Sequence, residues 1–231
     1  MTQLLLDIKP DRPPTLENFV VGGNDELLSR LRLLADRHSF DAIYIWGPDG
    51  SGKSHLLAAT VARAIGSRPA RLTRGAEAGV EIPAPPGALV AIDDVNALNE
   101  TGQVALFRVF NAARMAGLAL LLSGSEPPSR LTLREDLRTR IGQTLVFELR
   151  PLNDDDKSAA LRRHALMRGM RIDDSLVRYL LRHSRRDLPS LMAVLDNLDR
   201  ATLELQRPAT LPLLKEAIQL QFDDGNEPDS V

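Results

Sequence analysis

Three uninterrupted apolar runs mark the chain: Ala42-Ile43-Tyr44-Ile45-Trp46, Ala88-Leu89-Val90-Ala91-Ile92, and residues 118–122. Five apolar residues without alternation predict a strand covered on both faces, as in the middle of a parallel sheet. Weaker strand patterns fall at 70–73 and 143–149. Elsewhere the apolar positions recur every three to four residues. Leu27, Leu28, Leu31 and Leu34 predict a helix over 25–38, with Asn24 as its cap. Further helices are predicted over 55–65, over 101–116, and over 134–140. The second of these has Val104, Leu106, Phe107, Phe110 and Ala113 on its apolar side. The stretch 75–87, rich in Gly and Pro, reads as loop. Strands alternating with helices predict an α/β fold with a parallel sheet.

After Arg150-Pro151 the strand pattern ends. Helices are predicted over 154–168 (capped by Asn153), 174–183, 187–206 and 211–220, enough for a small helical bundle. The run Asp154-Asp155-Asp156 suits the first turn of a helix and needs no metal. At the front, Met1 to Lys9 is a short apolar segment followed by Pro10-Asp11-Arg12-Pro13-Pro14, an extended linker. Such a peptide is suited to docking on a partner, or alternatively to adding a strand to its own domain. The tail, 223–231, is acidic and expected to be disordered. The organisation expected is therefore a peptide and linker (1–14), an α/β domain (15–150), a helical domain (151–222) and a tail (223–231).

Composition narrows the function classes. No cysteine is present among the 231 residues, which excludes disulfides and thiolate metal sites and fits a cytoplasmic protein. No apolar run is long enough to span a membrane. A net charge of −2 gives no global attraction to nucleic acid, although the arginines cluster locally.

The strongest chemical signal lies between the first apolar run and the helix over 55–65. Gly47-Pro48-Asp49-Gly50-Ser51-Gly52-Lys53-Ser54 fits the phosphate-binding pattern G-x-x-x-x-G-K-[ST] in the strand–loop–helix setting that the pattern requires. Its glycines let backbone N–H groups point inward at phosphate oxygens. Lys53 is suited to reach the β- and γ-phosphates and Ser54 to hold Mg²⁺, with the helix dipole adding attraction for anions. Lysine is otherwise scarce, with only Lys9, Lys157 and Lys215 besides Lys53, so its appearance here is informative. The second apolar run ends in Asp93-Asp94, a Walker B pattern at the strand end where ligands bind in such sheets. Asp93 is suited to orient Mg²⁺ and Asp94 to polarise an attacking water. The third run ends in Ser123-Gly124-Ser125, where a polar group can sense a γ-phosphate or simply begin a turn.

Particular residues carry a family resemblance. Thr15-Leu16-Glu17-Asn18-Phe19-Val20 followed by Gly23-Asn24 resembles the start of the ATPase domain of the replication initiator DnaA, an AAA+ protein. The P-loop, Ile92-Asp93-Asp94, Ser123-Gly124-Ser125-Glu126-Pro127-Pro128, Leu137-Arg138-Thr139-Arg140 and Arg186-Asp187-Leu188 continue it, over residues 15–222. The resemblance implies an AAA+ P-loop NTPase: a parallel-sheet core followed by a small α-helical lid. DnaA goes on into a helix-turn-helix domain and the resemblance stops short of it, so no sequence-specific DNA-binding domain is expected. Gln3-Leu4-Leu5-Leu6-Asp7-Ile8 resembles the peptide that docks on the sliding clamp of DNA polymerase III, with Gln3, Leu4, Leu6 and Ile8 as the contacting positions. It departs from that motif at Leu5, a commonly small or polar slot, and at Asp7, commonly proline. The two features together resemble the DnaA-homologous regulatory inactivators, clamp-bound proteins that make DnaA hydrolyse its ATP and so stop re-initiation of replication.

Residue by residue, the resemblance implies Phe19, Val20 and Val21 near the adenine of ADP or ATP. Gly47, Gly50, Ser51, Gly52, Lys53 and Ser54 lie around its phosphates, with Ser54 and Asp93 on Mg²⁺. Ser125 stands at the first sensor, where the family usually has an acidic residue. Arg140 matches the arginine finger that acts on a neighbouring subunit's nucleotide, and Arg186 the second sensor. A guanidinium presented in trans neutralises charge spreading over a transferring phosphoryl group. Two other readings remain open: an ATPase acting directly as a helicase loader or remodeller, and a non-catalytic adaptor stabilised by ADP. A homo-oligomer is compatible with each.

Overall fold

The computed structural model describes residues 13–36, 38–185 and 187–216. The clamp-motif positions Gln3, Leu4, Leu6 and Ile8, the second-sensor Arg186, the last residues of the helix expected over 211–220, and the acidic tail lie outside the described residues. The chain divides into two compact units after Leu149.

In the first unit the elements run α1 (Asp25–Leu34), β1 (Ala42–Trp46), α2 (Lys53–Ala64), β2 (Ala70–Arg74), β3 (Leu89–Asp93), α3 (Glu100–Ala116), β4 (Ala119–Gly124), α4 (Glu135–Gly142) and β5 (Leu145–Glu148). The five strands form one sheet in the order β2-β3-β4-β1-β5, and every pair is parallel. The unbroken apolar runs have the cause expected of them. Side chains alternate across a strand, and both faces are covered. Ile43 and Ile45 of β1, Leu89 and Ala91 of β3, and Ala119 and Leu121 of β4 pack with α1 and α2. Tyr44, Val90, Ile92, Leu120 and Leu122 pack with α3 and α4. Each fully buried leucine or isoleucine contributes roughly 1.5–3 kcal/mol.

Several local expectations are corrected. Asn24 stands at the N-cap position of α1 and its carbonyl accepts from Leu28 N–H at 3.1 Å, but its side chain makes no cap hydrogen bond. Its backbone is not extended, and both its own N–H and its side-chain amide donate to the Val21 carbonyl instead, at 3.1 and 2.9 Å. Helix α1 stops at Leu34 rather than continuing to 38, because the carbonyls of Leu34, Asp36 and Ser39 turn toward the guanidinium of Arg68. On α3 the fully buried face is Gly102, Ala105, Leu106 and Val109. Of the expected apolar side Leu106 is fully buried, while Phe107, Phe110 and Ala113 are partly covered and pack against the edge of the same core. Within the stretch read as loop, Gly75–Glu77 forms a 3₁₀ turn, and Ala78 and Ile82 are core.

The second unit is helical throughout its described elements: α5 (Asp154–Met167), α6 (Asp174–His183), α7 (Leu188–Leu205) and a helical stretch at 211–216. Its core is Leu161, Ala165, Val177, Leu180, Leu191, Val194, Leu195, Leu198 and Leu214. Side chains cap all three long helices. Asn153 accepts from Asp156 N–H at 2.7 Å, Asp173 from Leu176 N–H at 2.8 Å, and Asp187 from Ser190 N–H at 2.9 Å. Across α5 and α7, Asp196 takes His164 Nε2 at 2.6 Å and Arg168 Nε at 2.8 Å.

Candidate nucleotide-binding site

The glycines of the P-loop answer three different local demands. Gly47 is buried beside the end of β5, where Leu149 N–H donates to Trp46 O at 2.7 Å; a Cβ at Gly47 would come within 2.9 Å of the Leu149 carbonyl. Gly50 has φ 72° and Gly52 φ 103°, the left-handed region that strains any other residue. At Gly52 a Cβ would also meet the Phe19 ring at 2.8 Å. The segment before α1 therefore lies against the mouth of the loop. The Phe19 ring tilts against His55 with centroids 5.6 Å apart, and His55 Nε2 donates to Thr15 O at 3.0 Å. Val20 and Val21 are half-buried in the same segment, Val21 packing on the core.

Lys53 opens α2 with its side chain folded across the loop. Its ammonium donates to Gly47 O at 2.7 Å and Pro48 O at 2.9 Å and lies 3.8 Å from the Asp49 carboxylate. Ser54, next in the helix, is exposed. Ser51 Oγ is buried with no hydrogen-bond partner. A buried hydroxyl without a partner is costly, and an anion seated in the loop would supply the acceptor it lacks. Left-handed glycines, an orphaned donor and a helix N-terminus behind them fit a phosphate group.

Strand register brings the acidic pair to the same end of the sheet. Strand β4 lies between β1 and β3, with Ile45 opposite Ser123 and Ile92 opposite Leu122. Asp93 and the base of the P-loop thus stand two strands apart, about 10 Å. Ser123 links the acidic pair: its hydroxyl donates to Asp93 Oδ1 at 2.6 Å and accepts from Asp94 N–H at 2.9 Å. Asp94 is exposed and left-handed, with φ 59°. Gly75 presses on it so closely that a Cβ there would lie 2.0 Å from the Asp94 carbonyl.

Ser125 is exposed, and its N–H donates to Asn96 Oδ1 at 3.0 Å. The adjoining Glu126 carbonyl accepts from the Tyr44 hydroxyl at 2.6 Å. Burial, with smaller contributions from the Asp94 and Glu126 charges, pushes the Tyr44 phenol well above its usual range, so it acts there as a donor. Sequence reasoning missed Gly75 and Tyr44, and it missed the bonds that Ser123 makes to the acidic pair. Ser123 was visible only as the polar end of a strand, Tyr44 as one more apolar position, and Gly75 as one glycine in a loop.

Arg140 belongs elsewhere on the unit. It lies exposed in the last turn of α4, which packs on α3, and its guanidinium meets Asn111 Oδ1 at 3.2 Å. With Phe107, Arg134, Asp136, Thr139 and Gln143 it lines an open depression of about 910 Å³. No group of three or more acidic or imidazole side chains that could hold a metal occurs among the described residues, and no helix among them is long and apolar enough to cross a membrane.

The comparisons agree with this geometry. The family model of the Hda lid domain matches residues 154–218. Domain III of the replication initiation protein DnaA from Thermotoga maritima superposes with a TM-score of 0.74 at 20% identity, covering 93% of this chain and 98% of that one. AMPPCP-bound DnaA from Aquifex aeolicus gives 0.70 at 18% identity, covering 85% of this chain and 68% of that one. The Thermotoga maritima RuvB Holliday junction branch migration motor gives 0.68 at 17% identity, covering 90% and 72%. Residues 154–218 thus match the Hda lid domain, and the chain as a whole has the fold of DnaA domain III.

Proposed function

We propose that the protein is a negative regulator of replication initiation: bound to ADP or ATP with Mg²⁺ and tethered to the sliding clamp, it stimulates ATP hydrolysis by DnaA. Arg140 would act as the arginine finger in trans. The observation that carries this reading is the Hda lid match joined to a DnaA-like α/β unit. The exposure of Arg140, whose guanidinium has one hydrogen bond among the described residues, to a neutral amide, supports its part. A guanidinium held that lightly can turn to an anion on another molecule at small cost.

On this chain the loop from Gly47 to Ser54 would bind the phosphates, Phe19, Val20 and Val21 would border the adenine, and Ser54 and Asp93 would hold Mg²⁺. Bound Mg²⁺ supplies charge neutralisation at the phosphates. Arg186 would read the nucleotide from the lid, Ser125 from the end of β4, and Gln3, Leu4, Leu6 and Ile8 would dock on the clamp. The exposed carboxylate of Asp94, held in a strained turn, favours a second reading in which the protein also turns over ATP itself.

The test is hydrolysis of DnaA-bound ATP with clamp-loaded DNA. Arg140→Ala is expected to reduce stimulation about 10³-fold or more while leaving nucleotide binding by the variant intact. Full stimulation by Arg140→Ala removes the finger from this reading. Turnover by the isolated protein without DnaA favours the second.

A further inference from the structure

Every side chain of β4 from Ala119 to Leu122 is apolar and buried, and the strand then places a hydroxyl, Ser123, at 0% exposure. A hydroxyl buried that completely needs hydrogen-bond partners within the protein. The roles of this hydroxyl are fixed by its partners. An amide N–H can only donate, so Ser123 Oγ accepts from Asp94 N–H at 2.9 Å and spends its one proton on Asp93 Oδ1 at 2.6 Å. One oxygen of Asp93 is thereby engaged, and the other has no hydrogen bond among the described residues. The same bond pair clamps the amide of a left-handed aspartate, φ 59°, whose carbonyl Gly75 backs so closely that no side chain fits between.

We propose that Ser123 is the positioning residue of the acidic pair. It holds the Asp93 carboxylate with one oxygen presented to a hydrated divalent cation arriving with a nucleoside polyphosphate. It also holds Asp94 in the turn that keeps its carboxylate in solvent. Ser123 touches neither cation nor nucleotide; it acts through Asp93. This rests on the nucleotide-binding reading above, and one measurement separates the two.

A fluorescent, non-hydrolysable ATP analogue is titrated into the full chain in EDTA, and then Mg²⁺ is titrated at fixed nucleotide. Ser123→Ala is expected to leave the EDTA affinity within about twofold of wild type and to raise the half-saturating Mg²⁺ concentration about 10–100-fold, as for other groups that orient a metal's ligand. Ser123→Thr, which keeps the hydroxyl, is expected to restore it. Ser123→Cys keeps the shape with a poor donor and is expected to behave as Ala, so the comparison survives if the alanine variant folds badly. A Mg²⁺ dependence unchanged in Ser123→Ala or Ser123→Cys, or absent from wild type that binds the analogue, overturns the proposal. No binding of the analogue by wild type sinks the nucleotide reading itself.

Discussion

Arg68 is the best place to test whether this fold has been understood. It follows the end of α2, at 5% exposure, and among the described residues its guanidinium hydrogen-bonds only to backbone carbonyls. Nε donates to Gly87 O at 2.7 Å. Nη1 donates to Ser39 O at 2.7 Å and Asp36 O at 3.0 Å, and meets Leu34 O at 3.5 Å. Nη2 donates to Ala88 O at 3.1 Å and meets Gly117 O at 3.4 Å. One side chain thus ties the end of α1, the approach to β1, the approach to β3 and the end of α3. The Phe40 ring lies 6.0 Å from the guanidinium carbon.

Burial works against this charge and pushes its pKa below the usual arginine value, with Asp36 pulling weakly the other way. The sign matters. A cation whose pKa is lower folded than unfolded loses stability by being charged at every pH below that value, and neutral pH gives no relief. The carbonyl bonds must offset the penalty. Arg68→Ala removes the penalty but leaves several buried carbonyls without donors, each costing about 1–3 kcal/mol before water or relaxation recovers part. Several such penalties, less the recovered cost of burying the charge, leave a net loss of about 2–4 kcal/mol. That is a large fraction of the roughly 5–15 kcal/mol that stabilises a domain. Arg68→Lys keeps the charge, but one ammonium cannot reach carbonyls spread around a planar fork, so about half the loss should persist.

Urea unfolding followed through Trp46, the single tryptophan, reports the first unit. The order of stability expected is wild type, Lys, Ala. An Arg68→Ala midpoint within about 1 kcal/mol of wild type would show that water replaces the guanidinium without loss, and the account of this corner would be wrong.

Gly52→Ala should cost about 1–2 kcal/mol from the backbone alone, plus the collision with Phe19. Adding Phe19→Ala should recover only the collision, and complete recovery in a double-mutant cycle of thermal melts would contradict the backbone term. In the helical unit, burial raises the Asp187 carboxyl, but the bonds from the Ser190 hydroxyl and N–H outweigh it, leaving a pKa below the model-peptide 3.8. Its capping contribution is therefore present above that pH and lost as pH falls through the lower folded value. Asp187→Ala should cost about 1 kcal/mol at neutral pH and little at pH 2, and an equal penalty at both would refute the cap.

The sequence made some of this legible because the constraints are local. An unbroken Leu-Val-Ala-Ile run needs cover on both sides wherever it occurs, and β3 has that cover. A glycine two residues before the P-loop serine is needed for φ 103° whatever surrounds it. Hydrophobic period also measures burial only coarsely: on α3 it found Leu106 and the partly covered Phe107 and Phe110 but not Ala105 and Val109, which are fully buried. Convergence from distant segments leaves no period at all. Ser123 reaches a carboxylate thirty residues earlier, and Arg68 collects carbonyls from four segments. Asn24 shows the opposite failure. The right residue type stood at the right place for a cap, and the turn onto Val21 won its side chain instead.

Helix α2 joins the two ends of the sheet. Its twelve residues span about 18 Å, from the loop suited to phosphate to the turn that leads into Arg68. At the first end lie two features that cost stability, left-handed Asp94 and the unpartnered Ser51 hydroxyl, beside Gly50 and Gly52, whose left-handed backbone only glycine adopts freely. At the other end Ser67 Oγ donates to Ala35 O at 3.0 Å, and Arg68 closes the surrounding loops. A backbone in a sparsely populated conformation persists only where its surroundings over-determine it. The Arg68 cluster fixes the far end of the helix against the sheet, Phe19 and His55 fix the near end, and Ser123 with Gly75 fixes the acidic turn. The strain gathered at the candidate site is therefore held by contacts, polar and steric, made outside the phosphate loop, and those contacts are the ones that hydrophobic periodicity does not encode.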